Sequence, residues 1–564
     1  MKRLLVVAVL ILVPFALLAD GSMHRYIVAT KGPAAMGRGP ALRNVVDAPE
    51  SRNVMEFQVV DAFAVDLTED EAAAVAKQPG VRYVSIEKER HTFGMRVRAL
   101  AGAPRLTDAN DIRNLNGQTV PYGLNLIHAP SVWPAGRGAN INVAVMDTGI
   151  DTGHPDLPTG YAGGFNFYSA TDPPIDDVDH GTHVSGTVAA ADNNIGVVGV
   201  APAVKIWAVK VLHLVNGTGS GSSVSIVAGI NFVVAKKAEV GGNWIMTLSL
   251  GSAAPDPTEQ AAFQKAIDAG ILVIASAGNH DPANPGDPQA PNAVSFPAAY
   301  PGVMAVAAVD STSTLAAFSN QGPEVAISGP GVNVLSTVPR GTGFLNYVSD
   351  GTSFLNSLAM DGSPKGSVTG HFVDCKQGHI GEFPAEVSGK IALIQRGDIT
   401  FNAKATNAQT AGATAVVIYN NLAAADHPGP TDLISGTLLS ATVTTFSGPL
   451  TTGISANDGQ KLLANPTDTV TVNATADDYD YFSGTSMATP HVAAAAALVW
   501  SLAPQLTASQ VKQALIQTAV DLGTPGPDTS YGAGLVDALA AAKLAAPGAF
   551  TTGPPSGRRI LKRP

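Results

Sequence analysis

Short apolar runs alternate with stretches of helical periodicity over much of the chain, and this pattern predicts the fold class. Helical stretches between apolar runs are typical of βαβ units and a mostly parallel sheet. Buried strands are predicted at residues 141–146, 206–212, 245–250, 271–275 and 303–309. The pattern stops near residue 345 and resumes near residue 476. One α/β fold is therefore predicted from two separate parts of the chain, 117–345 and 476–545.

The second of these parts contains a helix of unusual composition. Residues 493–497 are all alanine, and such small side chains are expected to let the helix pack closely in the core. Pro490 is expected in the first turn of this helix, where backbone amides have no intrahelical partners. Thr507 and Gln510 have the spacing of a capping box, which predicts the start of a further helix.

A separate, small α+β unit is predicted at residues 20–95. Thr68 and Glu71 predict a capping box and a helix that continues to Lys77. Residues 96–116 are polar and are predicted to form a linker that offers processing sites. Short strands of the unit are expected at residues 25–30, 55–60, 63–67 and 81–87.

An insertion with a different pattern, residues 346–475, interrupts the α/β fold. Its residues 387–397 and 412–420 are strand-like and flank a helical stretch at 402–411. Because the two parts of the α/β fold must meet in space, the ends of the insertion are expected to lie close together on the surface. Residues 546–564 end in a short basic run and are predicted to form a tail.

Residues 1–19 have the pattern of a signal peptide. Lys2 and Arg3 precede an apolar run, and Ala19 is a small residue at the expected cleavage point. The apolar run is shorter than a typical membrane span of about 20 residues. The mature protein is therefore expected to be secreted, without a membrane anchor. Cys375 is the only cysteine, so no intramolecular disulfide is expected, and the thiol is expected to be buried.

Composition and charge narrow the classes of function. Hydrophobic residues make up 45% of the chain and charged residues 14%, which is typical of a compact globular protein and not of a disordered one. The formal net charge of -11 at pH 7 argues against nucleic acid as a partner, because nucleic-acid binding usually needs a basic surface.

Three motifs that carry chemistry follow one another along the chain. They are Asp147-Thr148-Gly149, His180-Gly181-Thr182-His183 and the segment from Gly484 to His491 around Ser486. A serine hydroxyl attacks well only when a base removes its proton, and a carboxylate orients and stabilises the resulting imidazolium. Singly, each motif is also explained by an Asx turn or a helix N-cap. Together they predict Ser486 as nucleophile, His180 as general base and Asp147 as the orienting carboxylate, with His183 and His491 as structural residues.

With these motifs and their flanks, the chain resembles the subtilisin-like serine proteases (subtilases, peptidase family S8). The resemblance implies a three-layer α/β fold with a mostly parallel central sheet. It also implies that the Asn279 side-chain amide and the Ser486 backbone N–H donate to the oxyanion of a tetrahedral intermediate. Residues 20–95 resemble the inhibitory propeptide of secreted subtilases, and residues 346–475 resemble a β-rich protease-associated (PA) domain.

The same resemblance implies a substrate-binding cleft. Ser249-Leu250-Gly251 resembles the strand that holds substrate backbone beside the S1 pocket, and Gly219-Ser220-Gly221 resembles the opposite wall. The S1 pocket receives the residue on the N-terminal side of the cleaved bond. Ser295 is expected at the base of S1, where its small side chain leaves room for an apolar or aromatic residue.

The resemblance further implies one structural calcium ion and no organic cofactor. The expected ligands are side-chain oxygens of Gln118, Asp156 and Asn193 and backbone carbonyls of Ala191, Ile195 and Val197. An all-oxygen set suits a hard cation. Asp156 and Asn193 are also common turn formers, so a purely structural role for both stays open.

The sequence therefore predicts a secreted serine endopeptidase that hydrolyses protein or peptide substrates through an acyl-enzyme intermediate. It is expected to be made as a zymogen whose self-cleaved propeptide is also its intramolecular inhibitor. The base must be a neutral imidazole, so activity is expected to rise toward neutral or alkaline pH.

Other classes of function compete with this prediction. The main alternative is a catalytically silent subtilase-fold binding module that acts through the PA domain. An α/β-hydrolase esterase fits poorly because Ser486 lacks the Gly-x-Ser-x-Gly elbow. A sedolisin-like acid peptidase fits poorly because that family carries an acidic residue in place of His180.

Overall fold

The computed structural model describes most of the chain between residues 23 and 550. The described residues are 23–32, 54–93, 95–96, 112–113, 118–157, 160–280, 293–355, 357–360, 362–421, 434, 436–439 and 445–550. The predicted signal peptide, most of the predicted linker and most of the predicted tail lie outside them. Two compact units divide the chain between Glu87 and Lys88. Within the described ranges, no helix combines the length and the hydropathy needed to cross a bilayer.

The first unit is a four-stranded antiparallel sheet with one helix. Its strands lie in the order β2-β3-β1-β4. The elements are β1 His24–Thr30, β2 Met55–Phe57, β3 Ala62–Leu67, α1 Glu69–Ala76 and β4 Val81–Ile86. Thr68 caps α1: its side chain accepts from the Glu71 N–H, and the Glu71 carboxylate accepts from the Thr68 N–H. The capping box predicted from the sequence is thus confirmed.

The second unit, from Lys88 onward, contains a larger set of elements. Its strands in chain order are β5 Glu89–Thr92, β6 Met95–Arg96, β7 Ile112–Arg113, β8 Thr119–Val120, β9 Ile141–Asp147, β10 Tyr161–Asn166, β11 Lys205–Lys210, β12 Leu212–Val215, β13 Thr218–Ser222, β14 Asn243–Leu248, β15 Leu250–Gly251, β16 Ile271–Ser276, β17 Met304–Val309, β18 Val325–Pro330, β19 Val334–Thr337, β20 Gly343–Ser349, β21 Phe354–Leu355, β22 Ser357–Ala359, β23 Gly366–Asp374, β24 Ile391–Gln395, β25 Ala415–Tyr419, β26 Leu450–Ile454, β27 Thr469–Asp477 and β28 Tyr479–Ser483. Its helices are α2 Tyr122–Leu126, α3 His180–Ala189, α4 Ser223–Val240, α5 Pro257–Asp268, α6 Phe401–Thr410, α7 Ala456–Ala464, α8 Thr485–Leu502, α9 Ala508–Thr518 and α10 Ala538–Ala545.

Parallel strands form the central sheet of the second unit, in the order β10-β11-β9-β14-β16-β17-β18. Every residue of β9, β16 and β17 is buried. Because successive side chains of a strand point to opposite faces, both faces of this sheet are covered. The predicted three-layer α/β fold is therefore confirmed. The single strand predicted at residues 206–212 is two strands, because the chain leaves the central sheet after β11 to form a β12–β13 hairpin.

Helix α8 runs through the core beside this sheet. The five alanines of residues 493–497 are all fully buried, as their small side chains predicted. The helix begins at Thr485, so Pro490 lies in the second turn, and its predicted position in the first turn is wrong. A proline there leaves the carbonyl four residues earlier, that of Ser486, without a helical partner. The Ser249 hydroxyl donates to that carbonyl at 2.7 Å and satisfies it.

A mixed sheet in the order β21-β20-β27-β23-β24-β25-β26-β22 forms the body of the insertion. The predicted strand, helix and strand are β24, α6 and β25, and the two strands are parallel neighbours. Near the ends of the insertion, β20 pairs with β27, so that Asn346 lies opposite Ala474. Cys375, the residue after β23, is fully buried, and burial raises the pKa of its thiol to about 12.

The close packing of α8 has a measurable consequence. We expect Ala495→Leu to lower the free energy of unfolding by about 1–3 kcal/mol, because the added methyl groups have no space in the core. Ala235→Leu on α4 is the matched control, since Ala235 is exposed on a helix of the same unit. Chemical denaturation of both variants measures the difference. An Ala495→Leu variant as stable as the control would contradict close packing around this helix.

Candidate active site

Asp147 and His180 meet in a buried contact at the edge of the central sheet. Asp147 is the last residue of β9, and His180 is the first residue of α3. The His180 Nδ1 lies 2.7 Å from Asp147 Oδ1, and the same oxygen accepts from the Thr148 N–H at 2.7 Å. Both side chains are almost fully buried. A carboxylate in this position fixes the ring orientation and leaves the other ring nitrogen, Nε2, to act as a base.

A second buried carboxylate, Asp176, holds the strand end and the helix start together. Its Oδ1 accepts from the Thr148 hydroxyl at 2.8 Å, and its Oδ2 accepts from the Thr182 hydroxyl and N–H, both at 2.7 Å. The Thr148 hydroxyl in turn accepts from the Gly181 N–H. Only glycine fits at position 181, because a Cβ there would lie 2.2 Å from the Gly149 carbonyl oxygen. A role for Asp176 was not predicted from the sequence.

Ser486 lies in the first turn of α8, beside the end of β14. Its hydroxyl donates to the Ser249 carbonyl at 2.9 Å. The His180 Nε2 is buried and makes no hydrogen bond within the described part of the chain. The serine hydroxyl must therefore turn from the Ser249 carbonyl toward His180 before this nitrogen can take its proton.

Asn279 follows the end of β16 and is held by Thr485. The Asn279 Oδ1 accepts from the Thr485 N–H at 3.0 Å and from the Thr485 hydroxyl at 2.8 Å. These two bonds fix which end of the amide is the donor, and Nδ2 donates to the Phe93 carbonyl oxygen. An amide held in this way is preorganised to donate to negative charge that develops on a carbonyl oxygen. The orienting contact of Thr485 with Asn279 was likewise not predicted from the sequence.

A segment of the chain itself lies in the cleft as an added strand. Strand β5 pairs antiparallel with β13 on one side and with β15 on the other. The partners are Ser220, Gly221 and Ser222 on β13 and Leu250 and Gly251 on β15. After Phe93, β6 pairs with β28. Of the residues expected to line the cleft, Ser220, Gly221, Leu250 and Gly251 thus pair with a peptide. Ser249 contacts Ser486 instead.

The Phe93 ring lies against Gly251, one of the residues expected to border S1. A Cβ added to Gly251 would lie 2.8 Å from the ring, so glycine leaves the space that the ring fills. On the other wall, a Cβ added to Gly219 would lie 2.7 Å from the Thr92 side chain. Ser295 is buried and packs against Gly278, where a Cβ would lie 2.2 Å from its hydroxyl oxygen.

The two further histidines are buried structural residues. The His183 Nε2 lies 2.9 Å from the Val334 carbonyl oxygen, and the ring stacks on Phe482. Burial, together with the proximity of His180, lowers the pKa of His183 to about 3. Burial likewise lowers the pKa of His491 to about 4. Both rings are therefore neutral at the pH values at which a histidine base works.

The residues expected to bind calcium lie together. The Gln118 Nε2 lies 2.8 Å from the Ala191 carbonyl, 3.1 Å from the Val197 carbonyl and 3.4 Å from Asn193 Oδ1. Asp156 is fully buried, and burial raises the pKa of its carboxyl. Its hydrogen-bond partners are the Val197 N–H, the Asn193 amide and the Tyr479 hydroxyl, none of which is charged. The Ile195 N–H donates a hydrogen bond to Asn193 Oδ1.

This set of residues fits a calcium ion once the Gln118 side-chain amide is rotated by half a turn. Three oxygens converge on the Gln118 amide nitrogen, and turning the amide replaces that nitrogen with the Oε1 oxygen. An all-oxygen cluster beside a buried carboxylate whose hydrogen-bond donors are all neutral is the chemistry that a hard divalent cation prefers. No cluster of three or more His, Cys, Asp or Glu side chains occurs among the described residues, so carbonyl and amide oxygens would supply most ligands.

A fold and a site of this kind are those of a serine endopeptidase, and comparison with known proteins gives the family. The model of the subtilase family matches residues 138–359 and 395–534. The chain belongs to the subtilase family and is a subtilisin-like serine endopeptidase.

Individual relatives agree with this assignment. Subtilisin E of Bacillus subtilis (strain 168) is 35% identical over 320 residues, which are 56% of this chain and 74% of that protein. Subtilisin DY of Bacillus licheniformis is 43% identical over 226 residues, 40% of this chain and 77% of that protein. The structure of the psychrophilic subtilisin-like protease Apa1 from Pseudoalteromonas sp. AS-11 superimposes with a TM-score of 0.56. It is 32% identical and covers 76% of this chain and 98% of its own.

The contact between Thr485 and Asn279 gives a prediction for catalysis. Thr485→Val removes the hydroxyl that holds Asn279 Oδ1, and we expect kcat to fall about tenfold with little change in KM, because the amide donor is needed mainly in the transition state. Steady-state kinetics on a peptide anilide measures both constants. Thr485→Ser keeps the hydroxyl and is the control. The orienting role is contradicted if the valine variant keeps the wild-type kcat, or if both variants lose it equally.

Proposed function

We propose that this chain is a secreted zymogen in which Ser486 cleaves the peptide bond between Phe93 and Gly94 and then hydrolyses protein substrates with the same site. The observation that carries the proposal is the hydrogen bond from Asn279 Nδ2 to the Phe93 carbonyl oxygen. It is supported by the strand pairing of the chain on both sides of this bond, β5 before it and β6 after it. A peptide held in this way has the geometry of a substrate that also blocks the cleft.

The first half of the proposed mechanism forms an acyl-enzyme. The Ser486 hydroxyl turns from the Ser249 carbonyl and attacks the Phe93 carbonyl carbon while His180 Nε2 takes its proton. Asp147, bonded to Nδ1, stabilises the imidazolium. The negative charge moves to the carbonyl oxygen, where Asn279 Nδ2 donates to it. When the C–N bond breaks, His180 gives the proton to the leaving amine.

The second half releases the acyl group. A water molecule attacks the ester carbon and transfers a proton to His180, and a second oxyanion forms against the same Asn279 donor. Collapse of this intermediate returns the proton to the Ser486 oxygen and frees the new carboxyl end. Because the Phe93 ring fits beside Gly251, the proposed S1 pocket accepts aromatic and large apolar residues.

The remaining domain assignments stand as part of this proposal. Residues 20–93 are the inhibitory propeptide, and the proposed cleavage after Phe93 replaces processing within the predicted linker, so that residues 94–116 begin the mature chain. Residues 117–345 and 476–545 are the catalytic domain, residues 346–475 are a PA insertion, and residues 1–19 direct export. The pairing of β20 with β27 supports the insertion boundaries, because it closes the insertion at its base.

Self-processing is tested by comparing wild-type protein with Ser486→Ala. We expect the wild type to yield a mature chain whose N-terminus is Gly94, and the variant to keep residues 20–93, because only the wild type has the nucleophile. Intact mass and N-terminal sequencing detect the difference. Cleavage of both proteins at the same bond would overturn self-processing. If neither is cleaved and the wild type leaves casein intact, the silent binding module replaces the endopeptidase.

We also propose that Gln118, Asp156, Asn193 and the carbonyls of residues 191–197 hold a structural calcium ion. The support is the buried Asp156 carboxylate, whose partners carry no positive charge. Bound calcium would supply the positive charge beside Asp156 and would connect the loop of residues 191–197 to Gln118. It stabilises the folded state by mass action, by about 2.7 kcal/mol when its concentration is 100 times the dissociation constant.

The calcium proposal is tested in the Ser486→Ala background, so that self-digestion does not contribute. We expect calcium to raise the melting temperature relative to EDTA, and Asp156→Asn to abolish that difference, because the substitution removes the buried negative charge. The surface substitution Asp268→Asn is the control and should keep the full calcium effect. A melting temperature that is equal in calcium and in EDTA would rule the site out.

A further inference from the structure

One side chain of the strand in the cleft is a buried arginine. Arg90 and Glu259 both have a side-chain exposure of 0% and form a bidentate ion pair. The Arg90 Nε lies 3.2 Å from Glu259 Oε1, and Nη2 bonds to Oε2. The Arg90 Nη1 also donates to the Ser252 hydroxyl at 2.7 Å and to the Glu89 carbonyl at 2.9 Å. Four of the five guanidinium N–H positions thus have an acceptor, which is the fork geometry that distinguishes arginine from lysine.

The position of Arg90 along the strand makes this contact relevant to substrates. Counting back from the bond after Phe93, Arg90 is the fourth residue, the P4 position of a substrate. Its backbone pairs with Gly221 on β13, so the residue is held by the cleft itself. The pocket that receives the side chain is formed by Ser252, after β15, and by Glu259, in the first turn of α5. A peptide bound in the same register brings its own P4 side chain to Glu259.

Two buried carboxyl groups lie in the pocket that receives this arginine. Asp256, the N-cap of α5, is a second fully buried carboxylate three residues from Glu259. The Tyr300 hydroxyl lies 3.0 Å from Glu259 Oε2 and is uncharged. No cation other than Arg90 pairs with Glu259 in the part of the chain that the structure describes. Burial raises the pKa of Glu259 because the buried surroundings disfavour the charged carboxylate, and Arg90 acts against that shift.

We propose that Glu259 and Ser252 form an S4 pocket that selects arginine in substrates, so that the enzyme prefers sequences with Arg at P4 and an aromatic or large apolar residue at P1. The inference rests on the proposed endopeptidase function and specifies its substrate class. Arg90 and Phe93 are then the first example of the preferred pattern. Glutamate in this buried position binds a P4 arginine as it binds Arg90, whereas an apolar P4 side chain leaves the charge unpaired.

The test compares three peptides that differ only at P4, each with Phe at P1 followed by a chromogenic amide. The P4 residues are arginine, citrulline and leucine. Citrulline keeps the length and planar end of arginine but lacks its charge. With the self-processed wild-type enzyme, we expect kcat/KM for the arginine peptide to exceed that for each of the others by at least about tenfold, the usual range for close buried charge pairs.

A variant shows whether Glu259 is the selecting group. Glu259→Gln keeps the size of the side chain, and we expect it to reduce the ratio of arginine to citrulline to near one. Glu239→Gln on the exposed side of α4 is the matched control and should keep the wild-type ratio. A ratio measured within one enzyme is independent of how much of the variant folds. The three-peptide comparison in wild type stands even if Glu259→Gln fails to fold.

The outcomes separate this inference from the proposed function. Casein hydrolysis by wild type is measured in the same preparation. Casein hydrolysis without a preference for arginine at P4, or an arginine preference that Glu259→Gln leaves intact, overturns the S4 assignment and leaves the endopeptidase function standing. Absence of hydrolysis of casein and of all three peptides overturns both.

Discussion

The parallel direction of three neighbouring strands is the constraint on which the active site depends. Strands β9, β14 and β16 lie side by side, so their carboxyl ends open at the same edge of the sheet. Asp147 ends the first, Ser249 follows the second and Asn279 comes shortly after the third. Residues that are far apart in sequence are thereby brought to one edge without any long loop. Functional groups collect at this edge in open α/β sheets generally, because the strand ends are rigid and the turns after them are exposed.

Helix α8 brings Ser486, the proposed nucleophile, to this edge, and buried hydrogen bonds fix the position of the helix. Because Pro490 has no N–H, the Ser486 carbonyl lacks its helical hydrogen bond. The Ser249 hydroxyl donates to that carbonyl instead, and this bond connects α8 to the end of β14. A second connection is made by Thr485, whose N–H and hydroxyl both donate to the Asn279 side-chain oxygen. The alanines further along α8 let the helix lie deep in the core, where it cannot shift without overpacking. Catalytic geometry therefore depends on core packing as much as on the reacting groups.

The sequence predicted those features whose signal is local. Buried apolar runs predicted the strands, and the capping boxes at Thr68 and Thr507 were found where their spacing placed them. The predicted position of Pro490 is wrong because the sequence gives no clear signal for the start of α8. The N-cap residue is Gly484, which has no side chain to make a capping hydrogen bond. The pairing of β5 with β13 and β15 could not be predicted, because Glu89–Thr92 is polar and its partners lie more than a hundred residues later. Nor does a single Arg or Glu in a sequence indicate that both are buried and paired.

The proposed role of β5 as part of both the first substrate and an inhibitor places opposing demands on the cleft. Contacts that fix the register of β5 hold Phe93 next to Asn279, but the same contacts would slow departure of a cleaved segment. Backbone pairing serves any peptide equally and cannot distinguish this segment from others. The ion pair between Arg90 and Glu259 does distinguish it, and its strength comes from the absence of water around both charges. In the proposed mechanism, departure of the segment takes from Glu259 the cation that it binds here. A peptide that carries an arginine in the same register would restore this ion pair, whereas a peptide with an apolar side chain there would not.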